Sequence, residues 1–198
     1  AYLDSLGLFE HGGGGYHCIW FTDEEIELFR RKGLTAVTNP GSNTKLASGI
    51  ANTTAFLKHG VNMAIGTDGP ASNNCLDMFR EMFLVTGLGK LHDRDASAVP
   101  AEEVLKMAVT GGAKAMGLTD CDCLAEGKKA DFITINIMQP HLYPTGNLVN
   151  TLLECVTASD VCDMAVDGRL LMKDREVLTL DEEKILYEAM KYMEELEA

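Results

Sequence analysis

Gly33-Leu34-Thr35-Ala36-Val37-Thr38-Asn39-Pro40 and Gly60-Val61-Asn62-Met63-Ala64-Ile65-Gly66-Thr67-Asp68-Gly69 decide the architecture of this chain. Each is a short apolar run that starts after a glycine and stops at polar or turn-forming residues, the pattern of a strand buried on both faces. A helical pattern precedes each. Residues 22–32 begin on a capping Thr22, place Asp23, Glu24 and Glu25 in the first turn and Arg30, Arg31 and Lys32 in the last, and keep Ile26, Phe29 and Arg30 at helical spacing. Residues 52–59 read as a second helix, reached through a polar loop over 41–49. Helix, glycine, strand and polar loop thus occur twice in succession. A parallel return needs a crossover of about a dozen residues or more, so this repetition predicts a parallel sheet covered by helices.

Working outward, residues 12–21 predict an earlier strand with a glycine-rich start at Gly12, Gly13, Gly14 and Gly15. Downstream, residues 76–88 carry Met78, Phe79, Met82 and Phe83 on an apolar stripe, and Pro100 opens another helix running to about residue 116. Beyond Gly117 the pattern changes. Residues 130–135 read as a strand, and 164–172 as two short strands turned by Asp167-Gly168, a strong hairpin signal. An acidic amphipathic helix over 180–196 closes the chain. The expected division is therefore a parallel βα portion over 1–118 and a smaller β portion over 119–198.

The composition, 46% hydrophobic and 24% charged in 198 residues, is that of a globular domain. A formal net charge of −13, from 17 Lys and Arg against 30 Asp and Glu, excludes the concentrated basic face that a nucleic acid requires. No stretch approaches the roughly 20 apolar residues needed to span a bilayer, and the first residues carry no secretory pattern, so no membrane is expected and the cytoplasm is the expected location. The six cysteines, at 18, 75, 121, 123, 155 and 162, are expected to be reduced thiols. A start at Ala1 rather than Met reads as a cut into a longer chain.

Two polar residues fall at the ends of predicted parallel strands, His17 in Tyr16-His17-Cys18 and Asp68 in Gly66-Thr67-Asp68-Gly69. Sites assemble at the carboxyl ends of parallel strands, which marks both as candidates. On the residues alone the plainer alternatives stay open: a histidine among apolar neighbours also serves as a core or turn residue, and Asp before Gly also forms turns and caps. Elsewhere the plain reading wins. The glycines at 12–15 lack the Lys-Ser/Thr of a phosphate loop, Cys121-x-Cys123 is too closely spaced for a zinc knuckle, Lys128-Lys129 reads as a solvated turn, and the methionines between 78 and 116 as core.

Taken together, Tyr16 through Ile26, Asn39 through Ile50 and Gly66 through Asn74 resemble the amidohydrolase superfamily, and within it most the 5′-methylthioadenosine/S-adenosylhomocysteine deaminases and their chlorohydrolase-like relatives. Glu126 through Phe132, with Asp160-Val161 and Val166-Asp167-Gly168, resemble that family's closing β-domain, so the likeness covers essentially the whole chain.

The resemblance implies a (β/α)₈ barrel with a small β-sandwich, of which this chain is the carboxy-terminal half: strands six to eight with their helices over 1–118, part of the sandwich and a terminal helix over 119–198. His17 would end strand six and Asp68 strand eight. Asp68 would ligate one divalent metal ion, zinc or iron, and act as base; His17 would orient the attacking hydroxyl; both would face the nucleoside substrate. The family's His-x-His pair on strand one and the His and Glu of strand five have no match among His11, His59, His92 or His141. The fragment alone is therefore expected to be inactive, with the metal absent or weakly held, and to need the missing amino-terminal half of the barrel. Unpaired strand edges predict self-association, as a homo-oligomer. Ser72, Asn73 and Asn74 are expected at the pocket mouth or in loop caps. Guanine or cytosine deamination, triazine-type chlorohydrolysis and a non-catalytic interaction fragment are the competing readings.

Overall fold

The structure is a computed structural model that describes residues 1–197. The chain forms two compact units, Ala1–Cys123 with Met138–Ala158, and Leu124–Ile137 with Ser159 onward. The first contains α1 (Tyr2–Ser5), β1 (Gly14–Tyr16), α2 (Asp23–Lys32), β2 (Thr35–Thr38), α3 (Pro40–Lys45), α4 (Thr53–Lys58), β3 (Asn62–Ile65), α5 (Pro70–Asn73), α6 (Met78–Asp93), α7 (Ala101–Lys106), a π-helical turn at Met107–Gly111, α8 (Gly112–Ala115) and α9 (Leu148–Glu154). Its strands form one parallel sheet in the order β1-β2-β3, with Gly14 opposite Thr35 and Thr35 opposite Asn62. All three carboxyl ends therefore lie on the same edge.

The local chemistry explains the elements. Thr22 and Glu25 close a capping box on α2, the Glu25 N–H donating to Thr22 Oγ1 at 3.3 Å and the Thr22 N–H to Glu25 Oε2 at 3.2 Å. Gly33 ends the helix at φ 63°, where a side chain would be strained. The buried face of α2 presents Ile26, Leu28 and Phe29. An edge-to-face series, Phe9–Phe29, Phe29–Phe21 and Phe21–Phe56, with centroids 6.0, 4.9 and 5.3 Å apart, joins α2 to the fully buried Phe56 of α4.

On the exposed side of α2, Glu27 takes Arg30 Nε at 2.8 Å and lies 3.5 Å from His59 Nδ1. The Arg30 guanidinium, first, and His59 hold the Glu27 carboxyl down at about 2. A carboxyl depressed in the folded state stabilises above its unfolded value and loses that contribution as pH falls through the folded one. The stability difference between wild type and Glu27→Gln, measured by urea unfolding, is expected to be present at pH 6 and to shrink once the pH drops below the ordinary value of 4.5 toward about 2.

Two features differ from the sequence expectation. The stretch expected to be polar loop over 41–49 begins as α3, because Pro40 occupies the first helical position, where its missing N–H costs nothing. The helix expected over 100–116 is continuous but contains the π turn, and there Gly111 lies against β3: a Cβ on it would sit 2.0 Å from the Met63 carbonyl oxygen. Asn62 Nδ2 donates both to Gly111 O at 3.2 Å and to Thr35 Oγ1 at 2.9 Å, tying that turn to two strands.

The segment Met138–Ala158, which a single boundary near 118 assigns to the β portion, lies in the βα unit, where α9 packs on α6 and α7. Asn147 caps α9 by accepting the Val149 N–H at 2.9 Å.

The second unit holds β4 (Phe132–Ile135), β5 (Val161–Val166), β6 (Arg169–Lys173) and β7 (Glu176–Val177) in one antiparallel sheet of that order, followed by α10 (Glu182–Glu197). Asp167 and Gly168 turn β5 into β6 with φ 51° and 74°, as a primed hairpin turn demands. All six cysteines are reduced, with no disulfide among them. Among the described residues no helix is long and apolar enough to cross a membrane.

Candidate active site

His17 follows the last residue of β1, and Asp68 lies three residues beyond β3. Both expected site residues therefore stand at the carboxyl edge of the sheet, where the structure brings them together: His17 Nε2 is 3.9 Å from Asp68 Oδ2, with each side chain part-exposed. Their backbones are unusual. His17 and Cys18 adopt φ 66° and 49° in succession, and Asp68 φ 61°. The Cys18 N–H reaches back to Tyr16 O at 2.7 Å, closing a tight turn around His17. Left-handed conformations in non-glycine residues cost about 1–3 kcal/mol each and persist only where the surroundings impose them.

Cys18 helps impose this one. Its buried thiol donates to Gly15 O at 3.1 Å, and burial pushes its pKa up to about 11. A thiol so placed stays protonated and inert; its part is structural.

The side-chain network comes from α3 and α5. His17 Nδ1 meets Asn43 Oδ1 at 2.7 Å; an amide oxygen only accepts, so Nδ1 carries the hydrogen and Nε2 faces Asp68. Asp68 Oδ2 accepts Ser42 Oγ at 2.7 Å and Ser72 Oγ at 2.8 Å. These two hydroxyls, then the Gly69 N–H and His17, hold the Asp68 carboxyl below the usual carboxylate range. It is thus ionised at neutral pH, an acceptor able to take a proton or ligate a cation, opposite an imidazole nitrogen too distant for a direct hydrogen bond.

The approach of Asp68 depends on Gly66. Its N–H extends the ladder to Thr38 O at 2.9 Å, and a Cβ there would fall 2.4 Å from the buried Asn39 Oδ1. Ser42, Asn43 and the deeper Glu81 were not expected at the site. The Asn39-Pro40 start of a short helix was the available signal for the first two, because it turns 41–45 from loop into an element that aims its side chains. Of the residues expected at the mouth, Ser72 holds Asp68, Asn73 is buried, and Asn74 takes Lys45 Nζ. His59 and His92 pair with Glu27 and Asp93 away from this edge.

The amidohydrolase family model matches residues 1–177. This chain belongs to the amidohydrolase family. It is 47% identical over 194 residues to the 5-methylthioadenosine/S-adenosylhomocysteine deaminase of Dictyoglomus thermophilum, covering 98% of this chain and 46% of that protein. It is 45% identical over 196 residues to the 5′-deoxyadenosine deaminase of Methanosarcina mazei, covering 99% and 45%. Among solved structures, an adenosine deaminase from Xanthomonas campestris with bound zinc superposes with a TM-score of 0.94 at 32% identity, over 99% of this chain and 45% of that one. The amidohydrolase chain thus spans a little under half the length of these relatives. It is similar to hydrolases that act on carbon–nitrogen bonds.

The donor set fits one corner of a metal centre. Asp68 offers an ionised carboxylate of the oxygen type that zinc and iron accept. Among the described residues no three His, Cys, Asp or Glu side chains are grouped to hold an ion by themselves.

Proposed function

We propose that the whole protein hydrolytically deaminates an adenine nucleoside of the 5′-methylthioadenosine, S-adenosylhomocysteine or adenosine type, giving the inosine-type product and ammonia. The observation that carries this reading is the Asp68 carboxylate facing His17 Nε2 at 3.9 Å, each fixed from behind by α3. The names of the similar proteins point to the same substrate class.

In this reading β1, β2 and β3 are the sixth, seventh and eighth strands of a (β/α)₈ barrel, and the antiparallel sheet is part of a composite β-sandwich. Asp68 would hold a divalent ion, zinc or iron, with the other ligands coming from the amino-terminal half of the barrel. Such an ion, when bound, would lower the pKa of water steeply, to about 7. Asp68 then takes a proton from the attacking water, since its donors keep it ionised and its exposed position lets water reach it. His17, its Nδ1–H held by Asn43, presents the Nε2 lone pair, which accepts from the attacking water and so orients its oxygen. Oxygen adds at C6 of the purine and ammonia leaves, so one water is consumed per nucleoside.

The test is ammonia release from a panel of adenosine, 5′-methylthioadenosine, S-adenosylhomocysteine, 5′-deoxyadenosine, guanine and cytosine, beside chloride release from a chlorotriazine. Turnover confined to the adenine nucleosides is expected; turnover confined to any of the others overturns the reading. The 198-residue chain alone, given zinc or iron, is expected to show no turnover and to hold the ion weakly, since a single carboxylate is a poor site. Equilibrium dialysis and the same ammonia assay check both statements. The reading also includes a cytoplasmic location and self-association of the isolated chain through its open sheet edges; light scattering at rising concentration tests the latter.

A further inference from the structure

We infer that Glu81, which touches neither Asp68 nor His17, is a positioning residue for both. Glu81 lies on α6 and is fully buried. Its two oxygens reach different elements: Oε2 accepts the Gly41 N–H at 2.8 Å, in the first turn of α3, and Oε1 accepts Asn73 Nδ2 at 2.8 Å, at the end of α5. Asn73 Nδ2 also donates to Thr67 O at 2.6 Å, next to Asp68. On α3, Ser42 and Asn43 hold Asp68 and His17; on α5, Ser72 holds Asp68 from the other side. One carboxylate therefore fastens both elements whose side chains aim the candidate pair.

Three observations favour this over plain core packing. A buried carboxylate costs several kcal/mol unless it is satisfied, and its neighbours on the inner face of α6, Phe79, Met82 and Val85, show that the position suits an apolar residue. The six residues of α3 and four of α5 are too few to hold a helical shape unaided, since isolated helices shorter than about 12–15 residues are marginal. The backbone also makes room for the carboxylate: a Cβ on Gly41 would fall 2.3 Å from Glu81 Oε1. Two donors on separate elements need an acceptor with two oxygens. Glutamine at 81 has the same shape but turns an N–H₂ toward either the Gly41 N–H or the Asn73 amide. Asn73 Oδ1, buried and accepting no hydrogen bond among the described residues, meets that N–H₂ only if the amide rotates and gives up Thr67 O.

The kinetic part of the test rests on the proposed deamination; the structural part does not. In the whole protein Glu81→Gln is expected to lower kcat about 10- to 100-fold, the range for loss of a supporting partner, with KM shifting far less. Amide exchange read by mass spectrometry is expected to speed up together in 40–45 and 67–74 and to stay unchanged in α2 and α7. Because Glu81 acts through Ser42, the kcat losses of Glu81→Gln and Ser42→Ala are expected to combine to less than their product, whereas a general loss of packing would multiply them. If Glu81→Gln fails to fold, Asn73→Ala, which cuts only the α5 side, is read by the same measures. Unchanged exchange in both segments, a kcat equal to wild type, or fully multiplicative losses overturns the inference. A wild type that deaminates no nucleoside overturns the proposed reaction instead, and the exchange measurement still decides the role of Glu81.

Discussion

Asp68→Asn in the whole protein is expected to lower nucleoside deamination by about 10²- to 10⁴-fold, the range for removal of a general base, and to reduce bound metal in parallel. The substitution is nearly isosteric. Ser42 and Ser72 can still donate to the amide oxygen, so α3 and α5 are expected to keep their places. What goes is the negative charge that the hydroxyl donors stabilise, and with it the carboxylate oxygen that accepts a proton. Ammonia release and metal analysis by mass spectrometry check the result. Wild-type turnover by this variant would remove Asp68 from the chemistry, while lost turnover with an altered fold, seen by circular dichroism, would make it a structural residue.

Phe56→Ala is expected to destabilise the βα unit by about 3–5 kcal/mol, the usual cost of emptying a fully buried aromatic position. Phe56 is completely enclosed and stacks edge-to-face on Phe21, which stacks in turn on Phe29. Phe21 itself lies four residues beyond His17. The midpoint of urea unfolding should fall sharply, and Phe56→Leu, which refills part of the space, should recover a good share of the loss. An unchanged midpoint would mean that this aromatic series is peripheral to stability.

The parts of the molecule legible in the sequence are those governed by local rules. Thr22 with Glu25 fixes where α2 begins, Gly33 where it ends, and the glycine-flanked runs at 35–38 and 62–65 are strands because they are short, apolar and bounded. The hairpin at Asp167-Gly168 was equally plain. His17 and Asp68 stand out in the sequence because they fall at the ends of parallel strands, within strings that resemble a family, and the structure brings them within 3.9 Å at the carboxyl edge of the sheet. The rest depends on long-range contacts that no spacing announces. Asn43 meets a histidine 26 residues earlier, and Glu81 meets Gly41 across 40 residues. Nothing in the helical stripe of 76–88 distinguishes Glu81 from a solvent-facing acid. The membership of 138–158 in the βα unit was illegible for the same reason, since α9 is defined by packing on α6 and α7.

The contact of Gly111 with the Met63 carbonyl lies at the foot of β3, at the far end of the strand from Asp68. Backbone rests directly on backbone there, and Asn62 ties the same spot to β2, so the base of the strand is braced on two sides. Adjustment on arrival of a guest molecule is therefore expected at the tip, by rotation within residues 66–69. The strand works as a post set in concrete, and breathing of the cleft should fade to nothing within one strand length of its rim.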